Sequence, residues 1–250
     1  MTPVEKPNLP EAAESIIIGE KYSNILRKPL EKLGINPLFM PDNSNVDPRL
    51  SGHADLSVLH MGRERLCLAP YLRGSIFSEQ LSAMGFLVDY PEMQQSAVYP
   101  GDAQLNLCIC GKHAFFNPSV VPDSIVHFLT SNELNKIACR QGYTKCSVCV
   151  VDEGAIITAD RGIEGLARAA GMDVLLIEPG FVALDGFPYG FIGGAAFKIT
   201  RSKLAFTGTL KPCKNESEIL SFLKHHQVEP VYLTNRPLFD IGSAVPISEK

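Results

Sequence analysis

The tetrapeptide Gly52-His53-Ala54-Asp55 sets an imidazole and a carboxylate on either side of one alanine, directly ahead of the apolar run Leu56-Ser-Val-Leu-His60. In a strand, side chains two residues apart share a face. His53 and Asp55 then form a pair suited to acid/base work and to recognition of a cation. A turn in which both satisfy nearby main-chain groups would use the same residues. The functional reading is preferred, because the pair enters a strand that its apolar neighbours should bury, and buried polar groups cost free energy without partners. Cys146 is the best candidate nucleophile. It opens an apolar strand beside Lys145, whose charge favours a thiolate; a buried thiol acting as a small hydrophobe is the competing reading. Asp102 and Asp240 suit either ligand gripping or loop capping. Asp47 and Arg49 lie in the turn-rich loop Asn43-Ser-Asn-Val-Asp-Pro-Arg-Leu50, where Arg49 either holds a substrate carboxylate or stays solvated.

Other motifs carry less. Cys108-x-Cys110 and Cys146-x-x-Cys149 have metal-like spacing, yet both lie in β-patterned runs. Buried thiols serve there as small hydrophobes, and Cys146 and Cys149 would point to opposite faces of a regular strand. No metal or cofactor is expected. His53-x-Asp55 alone is weak support for a metal-dependent hydrolase. Gly190-Phe-Ile-Gly-Gly-Ala-Ala196 lacks the spacing and the following helix of a dinucleotide fingerprint. Its glycines instead permit close backbone approach. The loop Glu178-Pro-Gly-Phe-Val-Ala-Leu-Asp-Gly-Phe-Pro-Tyr189 reads as a lid, with Phe187 or Tyr189 shielding a site, or as a rigid connection. His225 and His226 fall at a helix end and receive no chemistry.

Composition narrows the class. The chain has 250 residues, 45% hydrophobic and 20% charged, the balance of a globular protein. A net charge of -4 without a basic run gives no hold on nucleic acid or an anionic membrane. Apolar stretches stop well short of the roughly 18 residues that a membrane span needs. The start, Met1 to Pro10, has three prolines and no apolar core and is not signal-like, so residues 1–13 are expected to form an extended arm. Seven cysteines, an odd number, argue against a disulfide framework and for a reducing cytoplasm.

The elements that must position these residues repeat along the chain. Four segments read as β-hairpins: 56–60 with 66–70, 105–110 with 114–118, 146–151 with 155–158, and 197–200 with 204–207. Helical spacing predicts helices over 22–33, 78–84, 163–170 and 216–225, with Asp160 and Asn215 as N-cap candidates. Residues 125–141 read as two shorter helical pieces. Short buried strands follow at 33–40, 85–89, 171–177 and 227–233. The unit is hairpin, helix, strand. A fifth unit joins the strand 241–247 to the N-terminal helix and strand, bringing the chain ends together in one domain spanning 1–250. The expected fold is α/β, a five-bladed pseudo-fivefold ββαβ propeller.

A ring of five such units resembles the pentein, or guanidino-group-modifying, superfamily. The local runs Asn45–Ser57, Gly142–Cys146, Glu178–Phe181, Gly190–Ala195 and Asp240–Ile247 are similar to a bacterial, mainly clostridial family assigned to that fold, with no reaction attached to it. The resemblance implies a central site where the first strand of each unit begins. Carboxylates there grip a planar cation, a cysteine attacks the guanidino carbon, and a histidine shuttles the proton. By strand register the site would gather His53 and Asp55, then Asp102, then Thr144, Lys145 and Cys146, then Gly194, then Asp240 and Ser243. The resemblance also implies a nucleophilic cysteine in the last unit, but Phe239-Asp-Ile-Gly-Ser-Ala-Val-Pro246 has none. Two functions stay open. One is an enzyme, hydrolase or amidinotransferase, acting on a C–N bond of a small guanidino or amidino compound. The other is a non-catalytic protein that binds a small, cationic ligand on the same scaffold.

Overall fold

The computed structural model describes residues 1–211 and 213–250. Among them are five small sheets, each built alike. In blade 1, Val58–Gly62 pairs antiparallel with Arg65–Leu68, and the helix Ile76–Ala83 crosses over to Leu87–Asp89, parallel to the second strand. Blade 2 repeats this with Cys108–Cys110, His113–Phe116, the helix Asp123–Ser131 and Asn135–Ala138. Blade 3 uses Val148–Asp152, Ala155–Thr158, the helix Arg161–Ala169 and Asp173–Leu176. Blade 4 uses Ala196–Thr200, Lys203–Phe206, the helix Glu216–His225 and Glu229–Tyr232. Blade 5 is split between the chain ends. Val245–Glu249 pairs antiparallel with Ala13–Gly19, and the helix Ser23–Lys32 leads to Asn36–Met40.

The core is five wedges, one between each pair of neighbouring blades. The two hairpin strands of each blade are therefore buried on both faces, and alternate residues feed alternate wedges. Ile16 and Ile18 pack toward blade 4, while Ile17 packs toward blade 1. Cys149 and Val151 join the wedge with blade 4, while Val148 and Val150 join the wedge with blade 2. Cys108 and Cys110 both lie in that second wedge, as small apolar side chains. All seven cysteines are buried and free of disulfides.

Several elements differ from their sequence-based expectation. The second half of 125–141 is the strand Asn135–Ala138, not a helix; its partner His113–Phe116 decides the matter, because pairing overrides local pattern. The run Ala13–Gly19, expected within or just past an arm, is the second strand of blade 5. Asp160 does cap its helix, accepting from the N–H groups of Gly162 and Ile163. Asn215 does not cap; its Oδ1 accepts from Glu178 N instead.

The N-terminal residues are tied to every blade at the hairpin-turn end of the ring. Thr2–Pro3 pairs with Ser248 and Glu249 of blade 5. Arg63 N of blade 1 donates to Val4 O, and Asn8 Nδ2 donates to Ile109 O of blade 2. Lys6 pairs with Glu153 of blade 3, and Arg201 N of blade 4 donates to Glu11 O. Among the described residues, no helix is long and apolar enough to cross a membrane.

Candidate active site

The opposite end of the ring is where the first strands begin. Here one hydrogen-bond circuit passes through all five blades. Asp55 N donates to Gly242 O, Asn106 Nδ2 approaches Asp55 O at 3.4 Å, and Lys145 N donates to Asn106 Oδ1 at 2.8 Å. Gly194 N donates to Cys146 O, and Ser243 N donates to Gly194 O. The segments ahead of the strands are thereby locked edge to edge, and their side chains are directed inward.

His53, Asp55 and Cys146 are all buried, and a nitrogen, an oxygen and the sulfur of the three lie within 4.8 Å of one another. The trio offers one nitrogen, one oxygen and one sulfur ligand to a thiophilic cation, as well as the parts of a catalytic group. The register argument differs in detail from what forms. His53 precedes a short 3-10 turn, Ala54–Leu56, that carries Asp55, and the strand starts only at Val58. Cys146 sits in one helical turn, Thr144–Ser147, ahead of Val148. The turns bring the side chains together where a straight strand would have spread them along its length.

Cys146 Sγ is 2.9 Å from Asp55 Oδ2 and 3.2 Å from Asn106 Nδ2. Burial, then the charges of Asp55 and Asp240, push the thiol well above its ordinary value. Lys145 Nζ does not bond the sulfur; it donates to Ser243 Oγ at 2.7 Å, and its charge does not outweigh burial and the two carboxyl groups. Burial also raises the Asp55 carboxyl. At rest the Cys146 thiol donates to Asp55 Oδ2. His53 Nδ1 lies 4.0 Å from Asp240 Oδ1. Asp240 is fixed by two main-chain donors, Gly242 N to Oδ1 and Phe191 N to Oδ2, each at 2.8 Å. His53 Nε2 and Asp55 Oδ1 are buried without a hydrogen-bond partner.

These groups open on a cavity of about 270 Å³ with His53, Cys146 and Asp240 in its wall. Apolar side chains, among them Leu50, Leu56, Leu184, Phe187 and Phe191, form the remainder with Tyr143 and Tyr189. Phe187 and Tyr189 thus border the pocket, as a lid would.

Other expected ligand contacts fall elsewhere. Arg49 Nε and Nη2 donate to Asp47, Nη1 donates to Gly186 O, and the guanidinium lies 4.2 Å from the centroid of Phe187. The pair clasps the lid loop from outside the pocket; Arg49 holds Asp47 down to about 2. Asp102 stands one layer back, where Tyr143 OH donates to its Oδ2 at 2.6 Å, and burial raises its carboxyl. Thr144 Oγ1 faces the carbonyls of Asn106 and Phe115, a structural position. Ser243 is fully buried and receives Lys145. Gly194 touches Asp240 rather than a ligand: a Cβ there would overlap the carboxylate.

Asn106 and Tyr143 were not singled out in the sequence. Asn106 is the more informative. Its Oδ1 accepts from both Lys145 N and Cys146 N, so it orients the nucleophile's turn. The available signal was a polar residue inside Leu105-Asn-Leu107, just ahead of a first strand, the same place that Asp55 and Cys146 occupy in their own blades. A second His/carboxylate trio, Asp173, His225 and His226, lies on the surface, with His226 Nε2 2.9 Å from Asp173 Oδ2.

The model of a family described as "Family of unknown function (DUF6873)" matches residues 17–245. No curated protein sequence matches the chain. Among solved structures, the chain is similar to the inosamine-phosphate amidinotransferase StrB1 of Streptomyces griseus at 10% identity, with 99% of this chain and 97% of that one covered and a TM-score of 0.60. It is similar to an agmatine deiminase of C. jejuni with substrate bound at 10% identity, covering 100% and 97%, with a TM-score of 0.57. It is also similar to DDAH of Pseudomonas aeruginosa complexed with citrulline at 9% identity, covering 88% and 92%, with a TM-score of 0.56. These likenesses identify the five-bladed ring as the pentein fold.

Proposed function

The chain belongs to the DUF6873 family, and from its pentein ring and pocket we propose that it is a cysteine-dependent enzyme acting on a C–N bond of a small guanidino or amidino compound. The observation that carries this reading is the meeting of Cys146, Asp55 and His53 in one buried cluster at the pocket, from blades far apart in sequence. The missing cysteine of the last blade is then no obstacle. The hub brings all five strand starts together, so a nucleophile from blade 3 reaches the same cavity.

The steps follow from the geometry. A planar cation enters between Asp240 and the thiol, and its charge offsets the negative field that keeps Cys146 protonated. The thiol proton passes to Asp55, and Sγ bonds to the guanidino carbon. The C–N bond to the departing nitrogen breaks as His53 supplies that nitrogen with a proton. Water, deprotonated by His53, then adds to the carbon of the thiouronium, the S–C bond breaks, and the thiolate recovers its proton. An amine in place of water makes the same sequence an amidino transfer.

A binding protein on the same scaffold is the second reading. Its specific support is the thiol, which burial and two carboxylates hold protonated at rest. One experiment separates the two: assay of guanidino compounds for released ammonia or amine, with mass spectrometry for an adduct on Cys146. Turnover that survives in Cys146→Ala protein would remove the nucleophile; binding without turnover in the wild type would favour the second reading.

A further inference from the structure

We propose that the compound this pocket accepts is a compact monocation, a guanidine or amidine with an apolar substituent and no carboxylate or phosphate. This substrate class stands on the reading given above and adds what the rest of the molecule must be.

The charge around the cavity has one sign. Asp240 is in the wall, Asp55 lies directly behind the Cys146 thiol, and Asp102 lies behind Tyr143. All three are buried. A guanidinium matches them, since it offers its N–H groups in a flat fork to carboxylate oxygens. Asp240 is the carboxylate that such a ligand meets directly, while Asp55 and Asp102 act on it through their charge. An anionic arm on the same ligand would be desolvated beside like charges, which opposes its ionised form.

The nearby cations, which would otherwise answer such an arm, are engaged. Arg49 turns its fork to Asp47 and Gly186 O and its face to Phe187. Lys145 points inward to Ser243, and Lys21 Nζ is held by the carbonyls of Pro48 and Arg49. No lysine or arginine is among the described residues lining the cavity. What does line it beyond the reacting groups is hydrocarbon and aromatic surface from Leu50, Leu56, Leu184, Phe187 and Phe191. Such a wall favours an alkyl or aryl substituent through burial of apolar area.

The test is a calorimetric titration of the full chain with three probes of matched length: butylguanidine, 4-guanidinobutanoate and butylurea. Butylguanidine is expected to bind at least tenfold more tightly than 4-guanidinobutanoate. Equal or tighter binding of 4-guanidinobutanoate would overturn the substrate class while leaving guanidino recognition intact. If neither guanidine outbinds the neutral butylurea, recognition of a guanidino group itself fails, and the substrate class fails with it.

Discussion

Cys146 Sγ and Asp55 Oδ2 stand 2.9 Å apart although 91 positions separate them in the chain. The contact joins blades 1 and 3 across the hub, and it joins the proposed nucleophile to the group that takes its proton. Each is buried, and burial is the main reason that each holds its proton more tightly; the charge of Asp55 raises the thiol further, while the hydrogen bond from Cys146 works the other way on Asp55.

Loss of the thiol should remove chemistry but keep recognition. Cys146→Ala is expected to lower kcat by on the order of a thousandfold or more, as loss of a nucleophile does, while ligand affinity measured by calorimetry changes by less than about threefold. An unaltered kcat in that variant would show that the sulfur forms no bond to substrate.

Activity should climb with pH. Only the thiolate attacks, and the thiol is held well above its ordinary value. The kcat/KM profile is therefore expected to rise through the alkaline range. Asp55→Asn removes one of the charges responsible, so the Cys146 thiol should ionise at lower pH. The check is thiolate absorbance in the far ultraviolet, taken as the difference from Cys146→Ala protein. An unshifted titration would separate Asp55 from the thiol.

His60 should make the fold acid-sensitive. It is buried, with Nε2 2.8 Å from Arg63 O and Nδ1 without a partner, and burial lowers it to about 4. Above pH 6.5 it is neutral in both folded and unfolded chains and contributes nothing to pH dependence. Between 6.5 and 4 the unfolded chain gains a proton that the folded one resists, so stability falls with pH, by roughly 3 kcal/mol at most. Urea midpoints at neutral and acid pH should show this loss reduced in His60→Gln protein. Identical acid sensitivity in the two proteins would rule His60 out as a cause.

Gly194→Ala should disturb Asp240. The new methyl overlaps the carboxylate, at a residue whose N–H and carbonyl also tie blades 3, 4 and 5. Overpacking of this kind costs about 1–3 kcal/mol. Thermal unfolding of Gly194→Ala, Asp240→Ala and the double variant is expected to be non-additive, with the double variant less destabilised than the sum. Strict additivity would mean that the two do not compete for space.

Opening the clasp should weaken binding more than turnover. Arg49→Ala frees the lid loop from Asp47, since Gly186 O and the Phe187 ring both lose their partner. KM is expected to rise several-fold with kcat within about twofold, read from steady-state kinetics. A fall in kcat alone would place Arg49 in the chemistry instead.

The repeat of hairpin, helix and strand was legible in the sequence because each blade's strands are apolar runs set between turn residues, and each helix has its own period. The ring followed from that repeat. So did the identity of His53, Asp55, Cys146 and Asp240 as polar residues entering strands that must be buried. Local pattern could not supply the rest. Asn135–Ala138 became a strand because His113–Phe116 offered it an edge, and Ala13–Gly19 did so because Val245–Glu249 lay beside it. The sequence places polar groups ahead of strands; the five-way hydrogen-bond circuit, main-chain but for the two links through the Asn106 side chain, decides which side chains face the cavity, which ones brace it, and that Arg49 and Lys145 are already held. Those outcomes depend on atoms tens or hundreds of residues apart, and only closure of the ring brings such atoms within hydrogen-bonding distance.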